Sequence, residues 1–135
     1  MKTLIYILGC ALLFSCDEND IMPAYEQKGT TTSTVATIGV SNEEPEAGET
    51  VTISLMYVNP SSDPLATVEI KYKIGSGSYS ILQTFDEGTG PRDESVTREI
   101  NYVAPAAGST VTFDMVLTSQ KDYPQIMRTS LEVSD

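Results

Sequence analysis

The chain has 135 residues, 8 basic and 19 acidic, for a net charge of −11. It has no histidine and no tryptophan, and its two cysteines, Cys10 and Cys16, both lie near the start. That inventory excludes structural disulfides in the body, Cys/His zinc sites, and Ser-His-Asp or Cys-His nucleophiles. The charge disfavours nucleic acid and docking on an anionic bilayer surface.

Residues 1–15 read as a secretory signal. Lys2 supplies a positive start, and Leu4 to Leu8 with Ala11 to Phe14 supply an apolar run. The run is too short for a spanning helix of about 20 residues. Leu13-Phe14-Ser15-Cys16 resembles the lipobox of bacterial lipoproteins. The resemblance implies a diacylglyceryl group on Cys16, loss of the signal and acylation of the new N-terminus. Two or more acyl chains hold a protein on a bilayer stably, at about 0.8 kcal/mol per buried CH₂. Asp17-Glu18-Asn19-Asp20 follows and resembles the acidic export signal of Bacteroidota surface lipoproteins. It implies the outer leaflet of the outer membrane.

Residues 16–33 then read as a flexible acidic, Thr-rich tether with no sustained period. Such a tether has an r.m.s. span on the order of 20–25 Å.

From residue 34 to 135 the pattern changes to short β-type runs between turn residues. The first run covers Val35 to Val40. The second, Thr50 to Val58, puts Val51, Ile53, Leu55 and Tyr57 on one face. The third, Ala66 to Ile74, alternates Val68, Ile70, Tyr72 and Ile74 with Thr67, Glu69, Lys71 and Lys73. A period of two with one charged face predicts a half-buried antiparallel strand. Gly75-Ser76-Gly77-Ser78 predicts a hairpin into a fourth run, Tyr79 to Phe85. The fifth, Glu94 to Val103, turns Val96, Ile100 and Tyr102 inward, with Arg98 the exception on that face. The sixth, Thr110 to Thr118, buries Val111, Phe113, Met115 and Leu117. The seventh, Ile126 to Val133, buries Met127, Thr129, Leu131 and Val133. From Pro45 onward every proline falls between these runs, where no ladder bond is lost.

Seven short strands and no helical period predict a single immunoglobulin-like antiparallel β-sandwich, with another Greek-key sandwich or a jelly roll as the alternative. Pro45 to Ile53 resembles the turn between the first two strands of bacterial immunoglobulin-like and fibronectin-III-like domains, and Tyr102 to Phe113 resembles their turn between strands five and six. In that topology three loops share one end of the sandwich. They carry Asp63, then Asp86, Glu87 and Asp93, then Asp122. Such oxygen-rich loops are candidate Ca²⁺ ligands, although no EF-hand spacing is present and solvated loop acids explain the same residues. No other cofactor is expected. Tyr123, beside Asp122 and Pro124, is a candidate exposed contact. The first strand also begins near that end, so a lipid tether entering there turns these loops toward the membrane.

No catalytic set is legible. Paired acids can hydrolyse glycosides, but that needs a cleft and one carboxyl kept protonated, which short loops on a small sandwich do not supply. The expectation is a non-enzymatic outer-membrane lipoprotein displaying an immunoglobulin-like accessory or binding module, within a glycan-uptake or adhesion assembly. Its partners are then the membrane, through the anchor, and a protein or a glycan. The alternative is a periplasm-facing lipoprotein that braces an envelope complex.

Overall fold

The computed structural model describes residues 34–135, which form seven strands. These are β1 (Ala36–Val40), β2 (Thr50–Val58), β3 (Leu65–Ile74), β4 (Ser80–Asp86), β5 (Ser95–Val103), β6 (Thr110–Ser119) and β7 (Pro124–Glu132). Cys16 and Asp17 to Asp20 lie outside the described residues.

The strands make two antiparallel sheets, ordered β1-β2-β5 and β4-β3-β6-β7. This is an immunoglobulin-like sandwich. A constant-type arrangement would put the fourth strand beside the fifth. Here β4 pairs with β3 instead, because the tight turn at Gly75 folds it straight back. Gly75 has a φ of +53°, and its N–H donates to Thr110 C=O at 2.8 Å. That left-handed conformation is strained for residues with a Cβ.

The alternation read from the sequence is the alternation that fills the core. Val51, Ile53, Leu55 and Tyr57 of β2 are buried, as are Val68 and Ile70 of β3 and Val111, Phe113, Met115 and Leu117 of β6. Each fully buried apolar side chain contributes about 1.5–3 kcal/mol relative to exposure. Tyr102 of β5 joins the sheets. Its ring centroid lies 5.0 Å from that of Phe113, edge-on, and 5.4 Å from that of Tyr72.

Three expectations need correction. Ile74 is exposed, because it ends β3 at the hairpin. Tyr79 precedes β4 and lies on the outer surface, 38 % exposed, with the Lys73 ammonium 5.0 Å from its ring centroid. Pro124 is the first residue of β7 and not a loop residue, a place where a strand tolerates proline.

After β1 the chain crosses from one sheet to the other. Glu43 C=O accepts from Glu132 N–H at 2.8 Å, and Pro45 C=O accepts from Ser134 N–H at 2.9 Å. Glu46 and Ser134 form a parallel bridge there. At the other end, Thr34 N–H donates to Gln125 Oε1 and Gln125 Nε2 donates to Thr34 C=O, both at 3.0 Å. The N-terminal segment thus ties both ends of β7.

Candidate functional site

The loops after β2, β4 and β6 meet at one end, as the topology requires. Asn59 at the end of β2 is fully buried and serves two loops. Its Nδ2 donates to Glu87 C=O at 3.0 Å, its Oδ1 accepts from Leu65 N–H at 2.9 Å, and its C=O accepts from Asp93 N–H at 2.9 Å. Gln120, just after β6, donates through its N–H to Pro64 C=O at 2.8 Å and through Nε2 to Gly88 C=O at 3.3 Å. Thr34 lies at the same end, its hydroxyl donating to Val58 C=O.

Glu87 is the centre of this end. It is 1 % exposed. Its Oε1 accepts from the Tyr57 hydroxyl and, at 2.9 Å, from Arg98 Nη2. The Arg98 guanidinium also lies over Phe85, 4.8 Å from the ring centroid. A Cβ on Gly90 would stand 2.6 Å from Glu87 Oε2, so glycine at this position is what allows the loop to close over the carboxylate. Burial pushes the Tyr57 phenol up to about 12, with Glu87 adding to the rise and Arg98 opposing it. The Arg98 guanidinium is raised further by its hydrogen bonds to Tyr57 and Glu87. A carboxylate so enclosed and so paired can hold loops in register.

Arg92 extends the same network. Its Nη2 donates to Gly88 C=O at 2.8 Å, and its Nη1 donates to Glu87 C=O at 3.1 Å and Gly90 C=O at 3.3 Å. Asp93 has a φ of +58° and accepts from Ser61 N–H at 3.0 Å and from the Ser61 hydroxyl. Those two bonds hold its carboxyl below the usual range.

Of the candidate Ca²⁺ ligands, Asp63 is buried within the loop after β2, Glu87 is enclosed by Tyr57 and Arg98, and Asp93 caps Ser61. Asp86 is exposed and accepts from Gly88 N–H at 3.0 Å. Asp122 is exposed, with a φ of +63° in the turn after β6. The loops do gather at one end, but the side chains of Asp86, Glu87 and Asp93 each accept separate local donors. Among the described residues no three His, Cys, Asp or Glu side chains group as a metal site. Tyr123 is 37 % exposed at that end, its N–H donating to Ser119 Oγ at 3.2 Å.

A second polar centre lies on the outer face of the four-stranded sheet. Asp114 of β6 is 5 % exposed and takes a fork from Arg128 of β7, Nε to Oδ1 at 2.6 Å and Nη2 to Oδ2 at 2.8 Å. Register places Lys71, Asp114 and Arg128 in one row. The Arg128 hydrogen bonds hold the Asp114 carboxyl below its usual value, and Tyr79 and Lys73 assist. Sequence reading missed this pair, because Asp114 falls on the polar side of the β6 alternation. By contrast, Arg98 on an apolar face was a legible signal that a buried acid must exist.

Among the described residues, shallow depressions lie at the end away from the three loops. One, of about 320 Å³, is lined by Glu44, Gly108, Thr110, Glu132, Ser134 and Asp135 among others. Another, of about 210 Å³, is lined by Glu43, Glu44, Ser130, Leu131 and Glu132. Nearby, Glu49 caps its own turn by accepting from Asn42 Nδ2 at 3.1 Å and Glu46 N–H at 3.0 Å.

No family model and no curated protein matches the sequence. Among solved structures the fold is similar to Spo0M, a sporulation control protein from Bacillus subtilis. The TM-score is 0.53 at 9 % identity, over 77 % of this chain and 50 % of that one, so this chain spans about half the length of Spo0M. It is also similar to superoxide reductase (neelaredoxin) from Ignicoccus hospitalis, with a TM-score of 0.54 at 12 % identity, over 75 % of this chain and 82 % of the enzyme. At such identities the likeness is one of fold alone.

Proposed function

We propose that the chain is a non-enzymatic lipoprotein of the outer membrane, anchored through Cys16 and displaying its immunoglobulin-like domain at the cell surface as an accessory or binding module. The observation that carries this reading is the way the domain begins. Thr34, which follows the lipobox, the acidic segment and the rest of the tether in the sequence, is held at the loop-bearing end by Gln125 and Val58. An anchor joined there turns the three loops toward the membrane and leaves the sheets, their edges and the far end for partners. The loop acids support the non-enzymatic part, since the most buried, Glu87, is spent on Tyr57 and Arg98. A place in a glycan-uptake or adhesion assembly rests on the acidic export-like segment and on fold analogy.

The test is protease shaving of intact cells, beside a Cys16→Ala variant. Release of the domain from intact cells, with the variant lost from the membrane fraction, is the expected result. Protection until the envelope is broken would replace this reading with a periplasm-facing lipoprotein that braces an envelope complex.

A further inference from the structure

A β-sandwich has four sheet edges, and each exposes backbone donors and acceptors unless something blunts it. Three of the four are blunted here. The β7 edge is tied at one end by Thr34 through Gln125 and at the other by Glu43 and Pro45. The β1 edge is only 5 residues long and lies against β7. The β4 edge is bulged. Ile70 pairs with Gln83 and Lys71 with Ile81, which leaves Leu82 as the extra residue.

The β5 edge differs. It runs 9 residues in unbroken register, from Ser95 opposite Val58 to Val103 opposite Thr50. It contains no proline, glycine or lysine. Among the described residues its only strand partner is β2. The direction of its donors follows from one bond. Ala104 N–H donates to Glu49 C=O, toward β2, at 2.8 Å. Donors alternate along a strand. The N–H groups of Thr97, Glu99 and Asn101 therefore point away from β2, toward the open side.

We infer that β5 is a docking edge for an extended strand of a partner protein, which adds to the three-stranded sheet beyond β5. A ladder of alternating N–H and C=O groups is satisfied only by another extended backbone. The side chains specify the rest. One row of the incoming strand faces the half-buried Val96, Ile100 and Tyr102 and takes apolar residues. The other row stands beside exposed Thr97, Glu99 and Asn101 and takes hydroxyl or amide groups, with a cation across from Glu99. A second copy of this chain is the poorer occupant. Two-fold pairing about the middle of β5 sets Glu99 against itself, in molecules that each carry −11. Arg98 points inward near the centre of β5, where its guanidinium is bonded to Glu87 at 2.9 Å.

The inference rests on the binding-module reading, but its test is independent of cellular address. Amide hydrogen exchange is followed on the full chain in detergent micelles. The probe is a nine-residue peptide alternating valine with threonine, with a central lysine on the threonine side. In the free chain Thr97, Glu99 and Asn101 exchange fast and Val96, Arg98 and Ile100 slowly. The peptide at millimolar concentration slows the first three about tenfold. A version with a central proline does not. Thr97→Pro removes one outward donor and abolishes the effect, and Glu99→Lys raises the peptide Kd about threefold without touching the fold. Slow exchange at the three positions in the free chain overturns the inference, since the edge is then already occupied. So does an unchanged rate with peptide, or slowing confined to β4. Failure of the shaving experiment leaves this result standing, and the reverse holds too.

Discussion

Arg98 Nη2 stands 2.9 Å from Glu87 Oε1, and this pair connects the middle of β5 to the loop that follows β4. The acid is 1 % exposed and the arginine side chain 39 %. The pair is therefore half-wet: the carboxylate is desolvated while the guanidinium keeps some water. Removing the arginine leaves Glu87 with Tyr57 alone. Arg98→Met is expected to destabilise the domain by about 2–4 kcal/mol, at the lower part of the range for broken buried pairs because water reaches the site. Arg98→Met combined with Glu87→Leu is expected to cost less than Arg98→Met alone. Urea unfolding of the three proteins checks this, and a double variant less stable than the single would contradict it.

Gly90 is coupled to the same carboxylate. Gly90→Ala puts a methyl 2.6 Å from Glu87 Oε2 and is expected to cost about 1–3 kcal/mol. In a Glu87→Ala background the same change is expected to be nearly neutral, because the obstructing oxygen is gone. A double-mutant cycle reads this coupling directly. Equal costs in both backgrounds would place the strain elsewhere.

Tyr57 is expected to titrate late for a phenol. Burial, with the Glu87 charge, lifts it from 10.0 to about 12. A raised pKa means that its stabilising contribution is full below pH 10.0 and is lost as pH climbs through about 12. Phenolate absorbance should show a final step that Tyr57→Phe removes. That variant is also expected to lose about 1–3 kcal/mol of stability, because the buried Glu87 carboxylate loses one of its two side-chain donors and keeps only Arg98.

Acid should act through Asp114 and Arg128. The hydrogen bonds from Arg128 depress the Asp114 carboxyl below its ordinary 3.8. A depressed pKa contributes stability that is full above 3.8 and declines as pH falls through the folded value. Chemical-denaturation midpoints of the native protein and of Arg128→Gln are expected to differ at neutral pH and to converge in strong acid. A constant gap down to the lowest pH would mean that the pair is not proton-linked.

Calcium is expected to leave the melting temperature unchanged, and so is a chelator. The candidate ligands Asp63, Asp86, Glu87, Asp93 and Asp122 share one end but do not converge, and Glu87 and Asp93 already hold local donors. A melting temperature that rises with Ca²⁺ would show that the loops rearrange to bind it.

The strand faces were legible because burial on a pleated strand has a period of two. Val51, Ile53, Leu55 and Tyr57 could be assigned to the core from spacing alone, and so could Val111, Phe113, Met115 and Leu117. Arg98 was legible as an anomaly, since a charge on an apolar face requires a buried counter-charge. Its partner was not. Glu87 sits among several loop acids that look alike in sequence, and only closure of the loop over Gly90 distinguishes it. Asp114 was hidden for a related reason. It lies on the polar side of its strand, and burial came from neighbours on β3, β7 and the segment before β4.

By itself, the amino-acid order determined the all-β class, the number and faces of the strands, and the absence of histidine-based chemistry. These follow from local periodicity and inventory, which need no knowledge of distant residues. The tertiary structure alone decided that Glu87 is held by Tyr57 and Arg98, and that, among the described residues, β5 pairs with a strand on one side only. Each depends on which segments meet across the sandwich, and chain connectivity and packing settle that over tens of residues, beyond the reach of any local pattern.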